Sequence, residues 1–361
     1  MKVLAAMSGG VDSSVMAARM VDAGYEVTGV HLALSKTSSV PGSRGCCTLD
    51  DARDARRVAD KLDIPFYVWD LSEQFQEEVM NNFLEEYSAG NTPNPCLRCN
   101  EKIKFLALLD RALDLGFDAV ATGHYAQIFE GPQGKELHRA IDPEKDQSYV
   151  LGMLEPWQLD HALFPLGADT KGQIRIEAEA RGLLTAKKPD SHDICFIPDG
   201  DTAAFLRRKL GDQPGEIIDV ETGKVIAEHE GAFGYTIGQR RGLDLRVPAT
   251  DGKPRYVVDV DIKARKVFVG SPALLDVDQI IGVRPTWTNA PITDQPVQCH
   301  AQVRAHGEPV PATAQMVGEE LVVDLQENIR GLATGQGIVL FDGTRVIGSA
   351  TVERTRRVVR A

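Results

Sequence analysis

The residues best suited to chemistry stand near the start of the chain, in Ser8-Gly9-Gly10-Val11-Asp12-Ser13-Ser14. Two glycines allow backbone angles that a side chain forbids, three serines offer hydroxyls, and Asp12 supplies a carboxylate. Before them, Val3-Leu4-Ala5-Ala6-Met7 reads as a buried parallel strand. After them, Val15 to Val21 is rich in helix formers, with Gly24 as the closing cap and Ser13 or Ser14 as the expected N-cap. Strand, tight loop and helix together make a nest of N–H groups at a positive helix end, which suits a phosphate or pyrophosphate. The stretch lacks the Gly-Lys-Ser/Thr ending of the common nucleotide triphosphatase loop, so it does not read as that motif. An ordinary βα turn of small residues is the plain alternative, and the crowding of donors beside one carboxylate weighs against it.

Cysteine is the second source of chemistry. Cys99 follows Pro93-Asn94-Pro95 at an expected helix start, where the positive helix end and the nearby Lys102 and Lys104 favour a thiolate. Cys195 lies in Asp190-Ser191-His192-Asp193-Ile194-Cys195-Phe196-Ile197-Pro198, an apolar patch bordered by acids. Taken alone, each is more often a packed structural thiol, and Cys299 and the adjacent Cys46-Cys47 keep that reading. Cys96-x-x-Cys99 is half of a zinc motif without a second half, so structural zinc is a minority reading. Lys145, between Asp142 and Asp146, reads by default as a solvated loop charge.

The elements that position these residues alternate in type. Strands are expected at Glu26 to Leu34, Phe66 to Trp69 and Ala119 to Thr122. Helices are expected at Asp50 to Leu62, at Ser72 to Tyr87 with Phe75, Val79, Phe83 and Leu84 inward, and from near Cys99 through Ile103, Leu106, Leu109 and Leu113 to Gly116. This pattern makes an open parallel sheet with helices on both faces, whose ligands sit beyond the carboxyl ends of the strands. By that rule Ser8–Ser14, Leu32 and Gly123-His124 converge. Beyond about residue 200 short strands take over: a hairpin of Arg255–Asp261 with Lys266–Gly270, then Glu320–Asp324 and Gly337–Phe341 with a hairpin turn at Asp342-Gly343. The expected domains are 1–200, a small mixed unit at 201–275, and a β-barrel from 276 to 361.

The 361 residues suffice for two or three domains, and 43% hydrophobic with 25% charged content is ordinary for a globular protein. Met1-Lys2 leads into too few apolar residues for a signal peptide or membrane span, so a cytoplasmic location without membrane association is expected. A net charge of −12 argues mildly against a nucleic-acid partner. Local basic clusters at Lys187-Lys188, Arg207-Arg208-Lys209, Arg240-Arg241 and Arg354 through Arg360 leave room for one.

Ser8–Ser14 is similar to the S-G-G-x-D-S signature of the PP-loop ATP pyrophosphatases, which adenylate a carbonyl oxygen and release pyrophosphate. Further stretches narrow the resemblance: Thr92-Pro93-Asn94-Pro95, Cys99-Asn100, Ile103-Lys104-Phe105, Thr122-Gly123-His124-Tyr125, Lys145-Asp146-Gln147-Ser148-Tyr149, the Cys195 motif, Gly238 to Leu243 and Tyr256 to Asp259. Together they resemble the bacterial tRNA-specific 2-thiouridylases, which thiolate the wobble uridine of some tRNAs. The resemblance implies that Ala6, Met7, Ser8, Gly9, Gly10, Val11, Asp12 and Ser13 form the ATP-phosphate loop, with Leu32 and Gly123 bordering adenosine. It implies Cys99 as nucleophile, Cys195 as carrier of a persulfide sulfur, and tRNA contacts at His124, Lys145, Asp146, Gln147 and Gln336. ATP with magnesium is expected, as are a tRNA substrate, a cysteine desulfurase or sulfur-relay protein as sulfur donor, and a monomer.

Two positions depart from the pattern. The family's Arg-Tyr contact is Arg304-Ala305 in this chain, and the acidic residue after Pro-Asn-Pro is Cys96. Cys96 reads as a proton-transfer group, as a spectator, or with Cys99 and Cys195 as a three-thiolate iron–sulfur site, the last ranked below the persulfide route. Two other classes stand beside the thiolase: a PP-loop enzyme acting on a small carbonyl, and a tRNA-binding protein without catalysis.

Overall fold

The computed structural model describes residues 1–35, 49–190, 194–197, 199–245 and 252–357. Cys46-Cys47, Ser191 to Asp193, Pro198 and Arg360 therefore lie outside the described residues. The chain opens with β1 (Lys2–Ala6), α1 (Val11–Asp22), β2 (Glu26–Ala33), α2 (Leu49–Lys61) and β3 (Phe66–Asp70). β1 runs parallel to β2, Val3 opposite Val27, and on its other side to β4 (Ala119–Ala121), Val3 opposite Ala119. Two further strands, β5 (Ala126–Gly131) and β6 (Gly134–Arg139), form a hairpin, and β7 (Ala162–Leu163) completes a parallel sheet in the order β3-β2-β1-β4-β7. Side chains alternate across it. Val3 and Ala5 pack under Val15, Met16, Ala55 and Val58, while Leu4, Val30 and Val120 meet Leu108, Leu109 and Ala112 on the opposite face.

Residues 72–89 and 95–114 form two long helical runs, each containing a π-helical segment, Gln76–Asn81 and Asn100–Ala107. The wider turn shifts which positions face inward. Phe105 and Leu108 are fully buried, whereas Leu106, which a 3.6-residue period groups with Ile103 and Leu109, is 37% exposed. The second run also starts earlier than expected. Asn94 caps it, its side-chain oxygen accepting from the amides of Cys96 at 3.0 Å and Leu97 at 3.3 Å, with Pro95 in the first turn.

The central unit is a four-stranded sheet of β8 (Gly215–Asp219), β9 (Lys224–His229), β10 (Tyr256–Asp261) and β11 (Lys266–Gly270) in the order β10-β11-β8-β9. Buried Arg255 ties it together, bonding Asp219 at 2.8 Å and Glu221 at 2.7 Å. The last six strands are β12 (Asp276–Trp287), β13 (Val297–Gln302), β14 (Val310–Val317), β15 (Glu320–Arg330), β16 (Gly337–Asp342) and β17 (Arg345–Arg357). They close into a barrel because β12 pairs with both β15 and β17. The β5–β6 hairpin joins the edge of the barrel through a short ladder, His138 opposite Arg345, with Arg139 N donating to the Thr344 carbonyl at 2.9 Å and the Arg139 guanidinium to Gln302 at 2.6 Å. The architecture is thus an α/β parallel-sheet domain, a small central sheet and a C-terminal β-barrel. No helix of the described residues is long and apolar enough to cross a membrane.

Candidate active site

Between β1 and α1 the chain turns sharply at Gly9, whose φ is +79°. A Cβ there would lie 2.2 Å from the carbonyl oxygen of Asp51 at the start of α2, so only glycine fits. Lys188 fastens the same contact, bonding the Gly9 carbonyl at 3.0 Å, Asp51 at 2.7 Å and Asp54 at 2.8 Å. Gly10 is the N-cap of α1, and no side chain caps the helix. That corrects the expectation for Ser13 and Ser14, which lie inside the first turns and donate back to the Gly10 carbonyl at 3.2 and 2.7 Å. Ser13 Oγ also accepts the Ser8 amide at 3.1 Å, which folds the loop over itself. At the end of β4, Gly123 runs so close that a Cβ would sit 2.9 Å from the Ser13 amide nitrogen.

These segments surround a cavity of about 550 Å³. Of the residues expected at the site, all but Gly9 and Gln336 line it, including Ala6, Leu32, His124 and Lys145. Cys99 and Cys195, far apart in sequence, also line it and pack on the same apolar cluster of Leu34, Phe75 and Val79. Because the helix begins at Pro95, Cys99 stands a full turn inside it, not at its start; Cys96 occupies the first turn. Cys96 is exposed, while Cys99 and Cys195 are half-buried. Among the described residues no three His, Cys, Asp or Glu side chains are grouped to hold a metal ion, so the three-thiolate reading of Cys96, Cys99 and Cys195 gains no support.

A chain of charges crosses the cavity. Asp12 accepts from Tyr125 Oη at 2.7 Å and from Lys171 Nζ at 2.6 Å. Lys171 also meets Asp190 at 3.0 Å, which in turn binds Lys145 at 2.8 Å and Arg175 at 2.6 Å. Burial works to raise the pKa of Asp190, but Lys145 and Lys171 outweigh it and hold the carboxyl down at about 2. Burial and the charge of Asp12 push the Tyr125 phenol well up, so it remains a neutral donor. His124, buried and facing the cavity, accepts or donates at 2.7 Å with Thr122 Oγ1. Its burial, helped by Lys104, lowers its pKa well below the ordinary value, which keeps the ring neutral.

Sequence reasoning missed Lys171 and the role of Tyr125. Lys171 is 159 positions from Asp12, and its only local signal is the capping box of Thr170 and Gln173 at a helix start. The residues expected to touch tRNA are differently placed. Asp146 is largely buried and accepts from Arg139, Ala140 and Ser148, bracing the loop that carries Lys145. Gln147 accepts the Tyr125 amide at 3.0 Å. Gln336 lies outside the cavity and donates to the Thr92 carbonyl, beside bonds from Thr92 N to the Thr334 carbonyl and from Thr334 Oγ1 to Asn91. The barrel thus grips the loop that leads to Cys96 and Cys99. Ala305 lines the cavity where the family places an aromatic, and Arg304 is turned to the carbonyls of Arg330 and Gly331. Cys299 is buried in the barrel core, its thiol pushed up to about 11 chiefly by burial, as suits a packed residue.

Three family models match the chain in succession: the tRNA methyl transferase HUP domain over residues 1–199, the tRNA methyl transferase PRC-barrel domain over 203–271, and the aminomethyltransferase beta-barrel domain over 277–352. The chain is 61% identical over 359 residues to the tRNA-specific 2-thiouridylase MnmA of Acidothermus cellulolyticus, covering 99% of both chains. It is 59% identical over 366 residues to the protein of the same name from Streptomyces avermitilis, covering 100% of this chain and 97% of the other. Among solved structures, U34-tRNA thiolase NcsA from Methanococcus maripaludis with its [4Fe-4S] cluster aligns at a TM-score of 0.35 and 17% identity, over 58% of this chain and 68% of that one, a likeness too low to bear on function.

Proposed function

The chain belongs to the tRNA-specific 2-thiouridylase family, and from that premise we propose how its cavity carries out the reaction. The activity is ATP-dependent thiolation of tRNA, so the protein is a tRNA sulfurtransferase. The observation that carries the residue-level reading is the convergence of the Ser8–Ser13 loop, Cys99 and Cys195 on one cavity.

A pyrimidine 2-carbonyl is a poor electrophile because its oxygen leaves badly. In the proposed course, O2 of the wobble uridine attacks the α-phosphorus of ATP, and the bond to the β-phosphate breaks with its electron pair leaving on pyrophosphate. Loop amides at the uncapped start of α1 stabilise that charge. The base is first swung out of the anticodon stack to enter the cavity. Sulfur then attacks C2 and AMP departs. Cys195 delivers it as a persulfide: either Cys99 thiolate releases hydrosulfide, or the terminal sulfur attacks C2 and Cys99 then cleaves the S–S bond. Both routes end in a Cys99–Cys195 disulfide, which an external thiol must reduce before the next turnover.

Leu32 and Gly123 border adenosine in this reading, and His124, Lys145, Asp146, Gln147 and Gln336 serve the tRNA side. Magnesium would accompany the triphosphate and neutralise its charge; Asp12 and Asp190 are engaged by Lys171, so the cation would be held chiefly by the phosphates it enters with. A cysteine desulfurase or a sulfur-relay protein reloads Cys195, and a tRNA substrate accords with a cytoplasmic location. We divide the chain at 1–200, 201–275 and 276–361, a reading supported by the change from parallel sheet to central sheet to barrel along the chain.

Mass spectrometry of tRNA nucleosides after single turnover without reductant tests this course. Cys99→Ser and Cys195→Ser should each abolish 2-thiouridine yet retain ATP binding, and the unaltered protein should yield a peptide pair crosslinked through the two residues. Thiolated product without that crosslink would rule out the disulfide route.

A further inference from the structure

Lys171 opens the helix Lys171–Ala180, and its ammonium lies 2.7 and 2.6 Å from the two oxygens of Asp12. Its side chain is only 12% exposed and lines the cavity beside the phosphate loop. It shares Asp190 with Lys145, which approaches at 2.8 Å, and with Arg175 at 2.6 Å. Arg175 also donates to the carbonyls of Ala186 and Lys188, so it fixes the segment that carries Asp190. Two lysines on flexible stems are thus poised against carboxylates at the rim of a phosphate cradle. A lysine ammonium is a compact point charge that can pass from a carboxylate to a phosphate without losing a partner. A polyanion entering beside Asp12 needs such a cation, because the carboxylate alone would repel it.

We propose that Lys171 receives the pyrophosphate half of the nucleotide, held ready by Asp12 and Asp190 until the phosphates arrive. The proposal rests on ATP occupying this cavity. In the resulting arrangement Lys171 contacts the phosphates that leave and does not serve the one that stays on AMP. It therefore separates ATP and pyrophosphate from AMP in affinity.

Calorimetric titration of the full-length protein with ATP, AMP and inorganic pyrophosphate tests it, using the unaltered chain, Lys171→Met and Lys171→Arg. A lost charge-assisted contact should weaken ATP and pyrophosphate by about tenfold to a hundredfold in Lys171→Met. AMP should bind within about twofold of the unaltered protein, and Lys171→Arg should recover most of the loss, since charge and reach are kept. Unchanged ATP and pyrophosphate affinity overturns the proposal, and so does AMP weakening in step with ATP, which would mean a misshapen cavity. Absence of any nucleotide binding by the unaltered protein would instead remove the ATP reading on which it stands. Should Lys171→Met not fold, amine acylation of the unaltered protein, read by peptide mass spectrometry, answers the same question. Pyrophosphate should shield Lys171 where AMP does not, and equal labelling under both overturns the assignment.

Discussion

Asp12 joins the loop to the rest of the cavity, since one carboxylate takes both the Tyr125 hydroxyl and the Lys171 ammonium. Ser13 does its part locally by accepting the Ser8 amide. Asp12→Ala and Ser13→Ala should therefore abolish tRNA-dependent pyrophosphate release while tRNA binding persists; full turnover by Asp12→Ala would discard the loop's assignment. His124 gives a second prediction, in stability against pH. Its folded-state pKa lies below its unfolded value of about 6.5, so the unfolded chain binds the extra proton. The contribution is fully present above pH ~6.5 and is lost as pH falls, at up to about 1.4 kcal/mol per pH unit. Denaturant midpoints of the unaltered protein and His124→Gln, measured at neutral and mildly acidic pH, should converge on acidification. Parallel curves would mean that His124 is not held neutral.

Elements aim these residues, and two backbone positions decide the aim. Gly9→Ala forces a side chain into the left-handed region, at about 1–2 kcal/mol, and drives its Cβ into the Asp51 carbonyl. ATP affinity should fall by at least about tenfold with tRNA binding intact, as α2 is pushed off the loop. Asn94→Ala removes the cap of the helix that carries Cys96 and Cys99 and should lower stability by about 1 kcal/mol, read as a shift in denaturant midpoint. An unchanged midpoint would show the cap to be dispensable. The strands and helices around the loop were legible because their apolar runs and Gly-Pro punctuation are local. The π-helical segment at Asn100–Ala107 was not, since its one-residue shift depends on packing of Phe105 and Leu108 in the core. The β5–β6 hairpin was missed although Gly131 to Gly134 marks its turn, because Lys135 to Arg139 has too few apolar residues to read as a strand. In the site, the loop and both cysteines could be read from local motifs, whereas Lys171 could not, because only the folded sheet brings it to Asp12.

At the scale of the whole molecule, a chain of net charge −12 must bind a polyanion, so the location of its unpaired positive charge matters. Much of the basic surface is already paired. Arg207 meets Asp212 and Glu230, Arg354 meets Glu320 and Glu353, and Arg356 meets Asp278. Exposed pairs of this kind are worth little, so phosphates can replace the carboxylates, but the exchange gives back much of what it gains. Arg240 and Arg241 differ: they are exposed on the central unit and, among the described residues, engaged in no ion pair. A phosphate contact there releases counterions without breaking a pair. The logarithm of cognate tRNA affinity should accordingly fall with the logarithm of salt at about −0.7 to −0.9 per phosphate neutralised. Replacing Arg240 and Arg241 together by alanine should flatten that slope by about one to two units, and the same change at Arg354 and Arg356 by clearly less. Filter-binding titrations over a range of potassium chloride give the slopes directly. A slope near zero for the unaltered protein would count against phosphate-driven binding. Equal flattening by both double variants would show that the existing ion pairs do not decide which arginines carry the tRNA.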